Sequence, residues 1–287
     1  MKLYYYAFTG HKHGLDRVKR AVVLLKKLRE HGIESMLLVN DFRAGLVARD
    51  LGISESVTIE GIQDIDAIAK IGDSVIIDSP EDDHGRLVKY CSEFKTVFRF
   101  AQTDDDKSIH SEVMLTVDCK DETCISSLIV DDIFFENHEK EDRTLFFLND
   151  SDADKLILNN VGFFKEFNME LLLGHYFYVK YEDDLAKIFK TLHEPEEYME
   201  LICSSKRIVT ASLQTAIEAK VAGAEVVFLE NGKLTSKEKK LLSLMEIGTI
   251  SNFNNEDFKH IVFKNVTKTS HIIERNETIV TKIINSL

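Results

Sequence analysis

Two histidines set between two glycines, Gly10-His11-Lys12-His13-Gly14, with Asp16 and Arg17 just beyond Leu15, are the residues of this chain best equipped for acid and base chemistry. A neutral imidazole with a pKa near about 6.5 serves as a general base at neutral pH. His13, and after it His11, are therefore the candidate bases, with exposed loop histidines as the plain alternative. Asp16 and the more distant Asp78 are carboxylates suited to orienting an imidazole, or equally to capping a helix. A second group, Ser212, Thr215 and Glu218, stands in TASLQTAIEAKVA at 210–222. Hydroxyls at a helix N-terminus suit phosphate, because the first N–H groups lack partners and the dipole favours negative charge. The alternative there is a capping serine and a solvated glutamate. No P-loop, nucleophile elbow, zinc spacing or EF-hand occurs, and QTDDDK at 102–107 reads as a solvated loop. No metal and no cofactor is expected.

The elements that must position these residues follow from hydrophobic spacing. The apolar run 3–8 reads as a buried strand, and Asp16 caps a helix whose apolar positions Val18, Ala21, Val22, Leu25 and Leu28 repeat at helical spacing until Gly32. The histidine loop thus lies at the carboxyl end of a strand, the edge of an open parallel sheet where ligands collect. Strands at 35–39, 57–59, 74–77 and 96–100 alternate with helices at 42–51, 62–71 and 83–94, and extended runs follow at 111–117 and 127–135. NHEKEDR, 137–143, contains no apolar residue and suits a solvated hinge, so domains 1–140 and 141–287 are expected. Beyond it the alternation restarts, with strands at 144–148, 171–179, 207–210 and 225–229. Helices are expected at 153–167, 183–192, 194–203, 213–222, 236–245 and 271–287. This is an α/β chain built as two Rossmann-like halves.

Composition narrows the function classes. The chain has 287 residues, is 44% hydrophobic and carries a formal charge of -13, with 49 acidic against 36 basic residues. Nucleic-acid binding is not expected, since it rests on neutralising phosphates with Lys and Arg. No apolar stretch approaches the roughly 18 residues of a membrane span, and the N-terminus does not read as a signal peptide, so a cytoplasmic protein is expected. Cys91, Cys119, Cys124 and Cys203 are few and unevenly spaced, which suggests buried thiols rather than a disulfide framework. Oligomeric state is left open.

The segment GLDRVKRAVVLLKKL, 14–28, resembles the start of the UDP-2,4-diacetamido-2,4,6-trideoxy-beta-L-altropyranose hydrolase family of pseudaminic acid biosynthesis, whose loop reads G-x-G-H-x-x-R ahead of the same helix. VIIDSPEDD at 75–83, LFFLNDSDADKL at 145–156 and IVTASLQTAIEAKVAGAEVVFLENG at 208–232 resemble its later motifs in order and spacing. The resemblance implies a GT-B-like architecture, two Rossmann-like domains with parallel sheets facing a central cleft, the sugar or acceptor on 1–140 and the nucleotide on 141–287. It implies Glu218 as the carboxylate that holds ribose hydroxyls and Ser212 and Thr215 as hydroxyls facing the nucleotide. Asn149-Asp150-Ser151 stands at the family's diphosphate-binding Gly-Gly-Thr, so Asn149 and Ser151 join the nucleotide candidates. In a gapless pairing the family's catalytic His is Arg17, its second glycine is Asp16, and Ser79-Pro80 replaces His-Tyr after Asp78. An arginine stays protonated and takes no proton from water, but it suits a leaving diphosphate or the carboxylate of an acidic sugar. The implied function is a nucleotide-sugar hydrolase or glycosyltransferase-like protein of bacterial surface-glycan synthesis of the nonulosonic acid type, acting on a UDP-linked sugar. The alternative is a catalytically inactive hydrolase-like protein that binds a sugar or a protein partner.

Overall fold

Apolar segments buried on both faces, such as Leu3–Ala7 and Ser74–Asp78, form the middle of an all-parallel sheet, as the absence of polar alternation in them requires. In this computed structural model, which describes residues 1–119, 124–232, 234–261, 273 and 275–287, the chain forms two such sheets. The first contains β1 (Leu3–Ala7), β2 (Ser35–Val39), β3 (Ser56–Thr58), β4 (Ser74–Asp78), β5 (Thr96–Phe100), β6 (Val113–Thr116) and β7 (Cys124–Ser126) in the order β3-β2-β1-β4-β5-β6-β7. The second contains β8 (Glu141–Phe147), β9 (Glu170–Leu172), β10 (Leu192–His193), β11 (Ser205–Thr210), β12 (Glu225–Glu230) and β13 (Gly248–Ser251) in the order β10-β9-β8-β11-β12-β13. In each sheet the strand order reverses once, between β1 and β4 and between β8 and β11. Such a switch point leaves a crevice beyond the carboxyl ends of the strands. Tyr5 pairs with both Leu37 and Ile76, and Phe147 lies opposite Thr210, so the register of the strands at both switch points is fixed.

The chain divides into two compact units, the first comprising Met1–Ile129 with the terminal helix Asn276–Ser286, the second beginning at Val130. The charged segment 137–143 therefore lies inside the second unit rather than between units. Its last residues begin β8, where Asp142 meets Arg207 at 2.8 Å and Arg143 meets Glu170 at 3.1 Å, so cross-strand ion pairs occupy charges that read as a solvated hinge. The terminal helix is tied to the first unit by Thr96 Oγ1 donating to Ser286 O at 2.7 Å and by Glu277 beside Lys27 at 3.6 Å.

Several expected elements are shorter. The helix expected at 153–167 starts only at Leu156, because Lys155 adopts a left-handed backbone and Asp152 starts a new cap there, and it is two pieces, Leu156–Asn159 and Val161–Glu166, parted at Asn160. Asp152 accepts from the N–H of Leu156 at 2.7 Å and of Ile157 at 3.0 Å, and the Tyr181 hydroxyl donates to the same carboxylate. The apolar character of this stretch serves a ring cluster in which Phe163 meets Phe164, Phe167, Phe253 and Phe258 at centroid separations from 5.1 to 5.6 Å. The strand expected at 171–179 is only β9, and the helix expected at 183–192 is Val179–Leu185. The run 127–135 holds a short 3-10 turn, Asp132–Phe135, capped by Asp131, and 62–71 is a 3-10 turn leading into Ile65–Ile68. Strand β13 and helix Asn255–His260 were not expected. Residues 271, 272 and 274 of the expected terminal helix lie outside the described residues. Cys119 and Cys124, expected as thiols, form a disulfide with a Cα separation of 5.6 Å; Cys91 and Cys203 are free.

After β9 the chain turns at Gly174, which lies against the loop that follows β8. A Cβ at Gly174 would stand 2.4 Å from the backbone carbonyl of Asp150. Gly174→Ala is expected to destabilise the second unit by about 1 to 3 kcal/mol, the scale of forced overpacking. Urea unfolding checks this, and a native midpoint would show that the loop yields freely.

Candidate functional site

Asp78 ends β4 at the first switch point and is fully buried. Arg20 grips it bidentately, Nε and Nη2 each at 2.6 Å, and the Tyr5 hydroxyl donates to it at 2.9 Å. Helix Asp16–Glu30 brings Arg17 onto the same carboxylate, one turn before Arg20, with Nε 3.4 Å from Oδ1. Arg17 Nη2 donates to Gln102 Oε1 at 3.0 Å, and Gln102 is itself held by its amide donating to Phe100 O at 3.2 Å. The Arg20 guanidinium also lies 4.7 Å over the Phe100 ring. Burial pushes the Tyr5 phenol well up, reinforced by Asp78, and burial lowers Arg17 against the pull of Asp78. Asp78 is thus the counter-ion of arginines rather than the orienter of a histidine.

The histidine loop is a closed turn. Gly10 O accepts from the N–H of His13 and of Gly14, each at 2.9 Å, and the φ values of +145° at Gly10 and +65° at Gly14 explain the paired glycines. His11, Lys12 and His13 form its exposed tip. The His13 ring meets the Phe8 ring edge-on at 5.0 Å. Partial desolvation against Phe8, then Arg17 and Lys12, hold its pKa below the ordinary value, which favours the neutral imidazole. Asp16, expected as the cap, is instead the first residue of the helix. Leu15 holds the cap position without a side-chain bond, and Asp16 stands 3.9 Å from Lys19. A cavity of about 410 Å³ opens beyond the ends of β4 and β5, walled in part by Ser79, Glu81, Arg99, Gln102, Asp105 and Lys107.

At the second switch point Ser212 caps helix Leu213–Val221, its Oγ accepting from Thr215 N at 3.0 Å, while Ser212 N donates to Thr210 Oγ1 at 3.1 Å. The Tyr198 hydroxyl lies 2.8 Å from Thr215 Oγ1 and donates to Glu218 Oε2 at 2.6 Å. Gln214 Nε2 donates to Glu218 Oε1 at 2.7 Å. Glu218 is 3% exposed, so it is a buried acceptor of hydrogen bonds and not a solvated charge. Asn149 Oδ1 accepts from Asp150 N at 2.6 Å, and half-buried Ser151 follows on the same loop beyond β8. Asp150 O accepts from Tyr176 N at 2.9 Å, which ties that loop to the one after β9.

The candidate residues therefore collect at the two switch points. His11, His13, Asp16, Arg17 and Asp78 belong to the first, and Asn149, Ser151, Ser212, Thr215 and Glu218 to the second. Sequence reasoning missed Tyr5 and Gln102 and the pairing of Arg20 with Asp78 in the first, and Tyr198 and Gln214 in the second. Arg20 at i+3 from Arg17 and Gln214 four residues before Glu218 were visible as neighbours on a helix face. Tyr198 comes from helix Tyr198–Ser204, a contact that no local spacing announces. Among the described residues no group of three His, Cys, Asp or Glu is placed to hold a metal, and no helix is long and apolar enough to cross a membrane.

No protein-family model and no curated protein matches the chain. Solved structures do. A UDP-GlcNAc 2-epimerase from Neisseria meningitidis bound to UDP-GlcNAc is 12% identical with a TM-score of 0.58, over 99% of this chain and 100% of that chain. MurG of Acinetobacter baumannii is 13% identical with a TM-score of 0.57, over 99% and 100%. S. aureus MnaA, solved with UDP, is 14% identical with a TM-score of 0.59, over 90% and 86%. At such identities the likeness establishes the fold, a GT-B-like pair of Rossmann-like halves with parallel sheets.

Proposed function

We propose that this chain is a nucleotide-sugar enzyme that holds uridine diphosphate at the switch point of its second unit. The observation that carries the reading is that the segments holding Asn149 and Ser151 and holding Ser212, Thr215 and Glu218 follow the paired strands β8 and β11, with Ala211 N donating to Leu148 O between them, and that a hydroxyl-bearing helix N-terminus there suits phosphate. Structures of the same fold that carry UDP or UDP-GlcNAc support it. Glu218 receives the ribose hydroxyls once the Gln214 amide, on the flexible side chain one turn earlier, moves off Oε1, while Tyr198 keeps Oε2 in place. The reaction we assign is hydrolysis of, or transfer from, a UDP-linked sugar in cytoplasmic steps of surface-glycan synthesis of the nonulosonic acid type. UDP and UDP-GlcNAc are expected to raise the thermal midpoint of the native chain, since a ligand of the folded state stabilises it. The absence of a shift with either would remove the nucleotide reading.

His13 is the base in this proposal, because Arg17 does not accept a proton. His13→Ala is expected to cut turnover by about a hundredfold. Because the His13 pKa is lowered, protonation sets in only below its ordinary value, so native turnover is expected to hold at pH 7 and to fall as the medium is acidified below about 6.5. An unchanged rate in His13→Ala would exclude it. One observation favours a second reading, an inactive hydrolase-like binding protein. Where the family has its catalytic histidine, Arg17 is engaged with Asp78 and Gln102. UDP binding without turnover of any UDP-sugar would select that reading.

A further inference from the structure

Two guanidinium groups are held against one carboxylate at the end of β4. Arg20 meets Asp78 with two bonds of 2.6 Å and Tyr5 adds a third, so that pair is neutral and its geometry complete. Arg17 comes no nearer than 3.4 Å, and its Nε is buried without a hydrogen-bond acceptor. Its one hydrogen bond among the described residues runs from Nη2 to Gln102. Among the described residues no second carboxylate makes an ion pair with Arg17, although Asp16 acts on it from the same helix turn. Asp16 faces Lys19, Glu81 accepts from the hydroxyls of Tyr6 and Ser79, and Asp106 and Glu112 bracket Arg99. Lys12, on the loop just before the helix, adds a further cation.

A largely buried cation lacking a full set of acceptors is costly, and an anion completing it removes the cost. The Arg17 side chain retains 17% exposure, enough for a ligand to reach it. It stands in the first turn of a helix of 15 residues, at the switch point where anions are favoured. Gln102, its partner, is also part of the wall of the cavity of about 410 Å³, which has room for a monosaccharide-sized body. We propose that Arg17 anchors an oxyanion site in the first unit, oriented by Gln102, that takes the carboxylate of a sugar acid or the phosphate of a sugar phosphate, with the sugar ring received by the adjoining cavity. The planar fork of a guanidinium matches either group bidentately. The site stands on the first unit alone and does not depend on uridine diphosphate at the second.

The test is calorimetry and thermal shift on the full chain with glucuronate, glucose 1-phosphate and neutral glucose. At least one anion is expected to bind and raise the thermal midpoint while glucose does neither, and the anion that binds identifies the group. Arg17→Gln is expected to weaken that anion at least tenfold without lowering the midpoint of the free protein, since Asp78 keeps Arg20 and Tyr5. Arg17→Lys, which keeps the charge and loses the fork, should bind with intermediate affinity. Binding of neither anion better than glucose by the native chain would overturn the proposal, as would native-like affinity in Arg17→Gln. A lowered midpoint in Arg17→Gln would make Arg17 a structural cation and overturn it too. None of the probes contains a nucleotide, so failure here is distinct from failure of the UDP reading.

Discussion

Asp78→Ala is expected to lower the stability of the protein by about 3 to 5 kcal/mol, the scale on which a buried ion pair fails when one partner is removed. Asp78 is 0% exposed and is the carboxylate to which Arg20, Arg17 and the Tyr5 hydroxyl all turn. Its removal leaves two like charges facing each other at the end of β4. Asp78→Asn preserves shape and one acceptor but not the charge, and should fall between alanine and native. Urea unfolding followed by circular dichroism reads both. A loss below about 1 kcal/mol in Asp78→Ala would mean that Arg20 escapes to solvent, as an exposed pair allows. The contrast with Arg17→Gln, expected to be tolerated, separates the complete pair from the surplus cation.

Glu218→Ala should show two effects at once. It removes the acceptor for the Gln214 amide and for the Tyr198 hydroxyl, both in buried surroundings, which is expected to cost about 1 to 3 kcal/mol in unfolding free energy. If ribose is held there, UDP affinity falls by a further 1 to 3 kcal/mol or so, because the hydrogen bonds lost run to a buried charged group. Calorimetry separates the two. Reduced stability with unchanged UDP affinity would leave Glu218 as a structural link between two helices and move the ribose elsewhere. Tyr198→Phe sharpens the result, since it loses the bonds to Thr215 and Glu218 while the carboxylate and its bond from Gln214 remain.

The two sheets were legible in the sequence because their central strands are buried on both faces. Runs such as 35–39 and 96–100 carry that burial as mostly apolar character, interrupted by Ser35, Thr96 and Arg99, and were placed to the residue. The stretch 153–193 was not legible. Its periodicity reads straight through Lys155 and Asn160, but Asp152 caps a turn that starts only at Leu156, and Gly174 is pressed onto Asp150 in a contact between loops that no local pattern displays. Strand β13, GTIS, is short, with two of its four residues exposed, and owes its place to pairing with β12 rather than to its own character. At the candidate site, the loop glycines and the capping role of Ser212 are local and could be read. The partnership of Arg20 with Asp78, 58 residues apart, and of Tyr198 with Glu218 depends on which elements become neighbours, and one sequence does not display that.

The return of helix Asn276–Ser286 to the first unit has a consequence for biosynthesis. The second unit is one continuous stretch of chain, so everything it needs has been translated by the time its last residues leave the ribosome. The first unit is begun earlier and finished later. Until the codons for Asn276–Ser286 are read, the surface formed by helix Asp16–Glu30 and the backbone at Thr96 waits for the helix that covers it, with Ile279, Val280 and Ile283 still to be buried. Although domains commonly mature in the order of synthesis, here the later-made unit is the one free to mature first. A nascent chain stalled just before Asn276 would present a folded second unit tethered to an apolar face still open to chaperones.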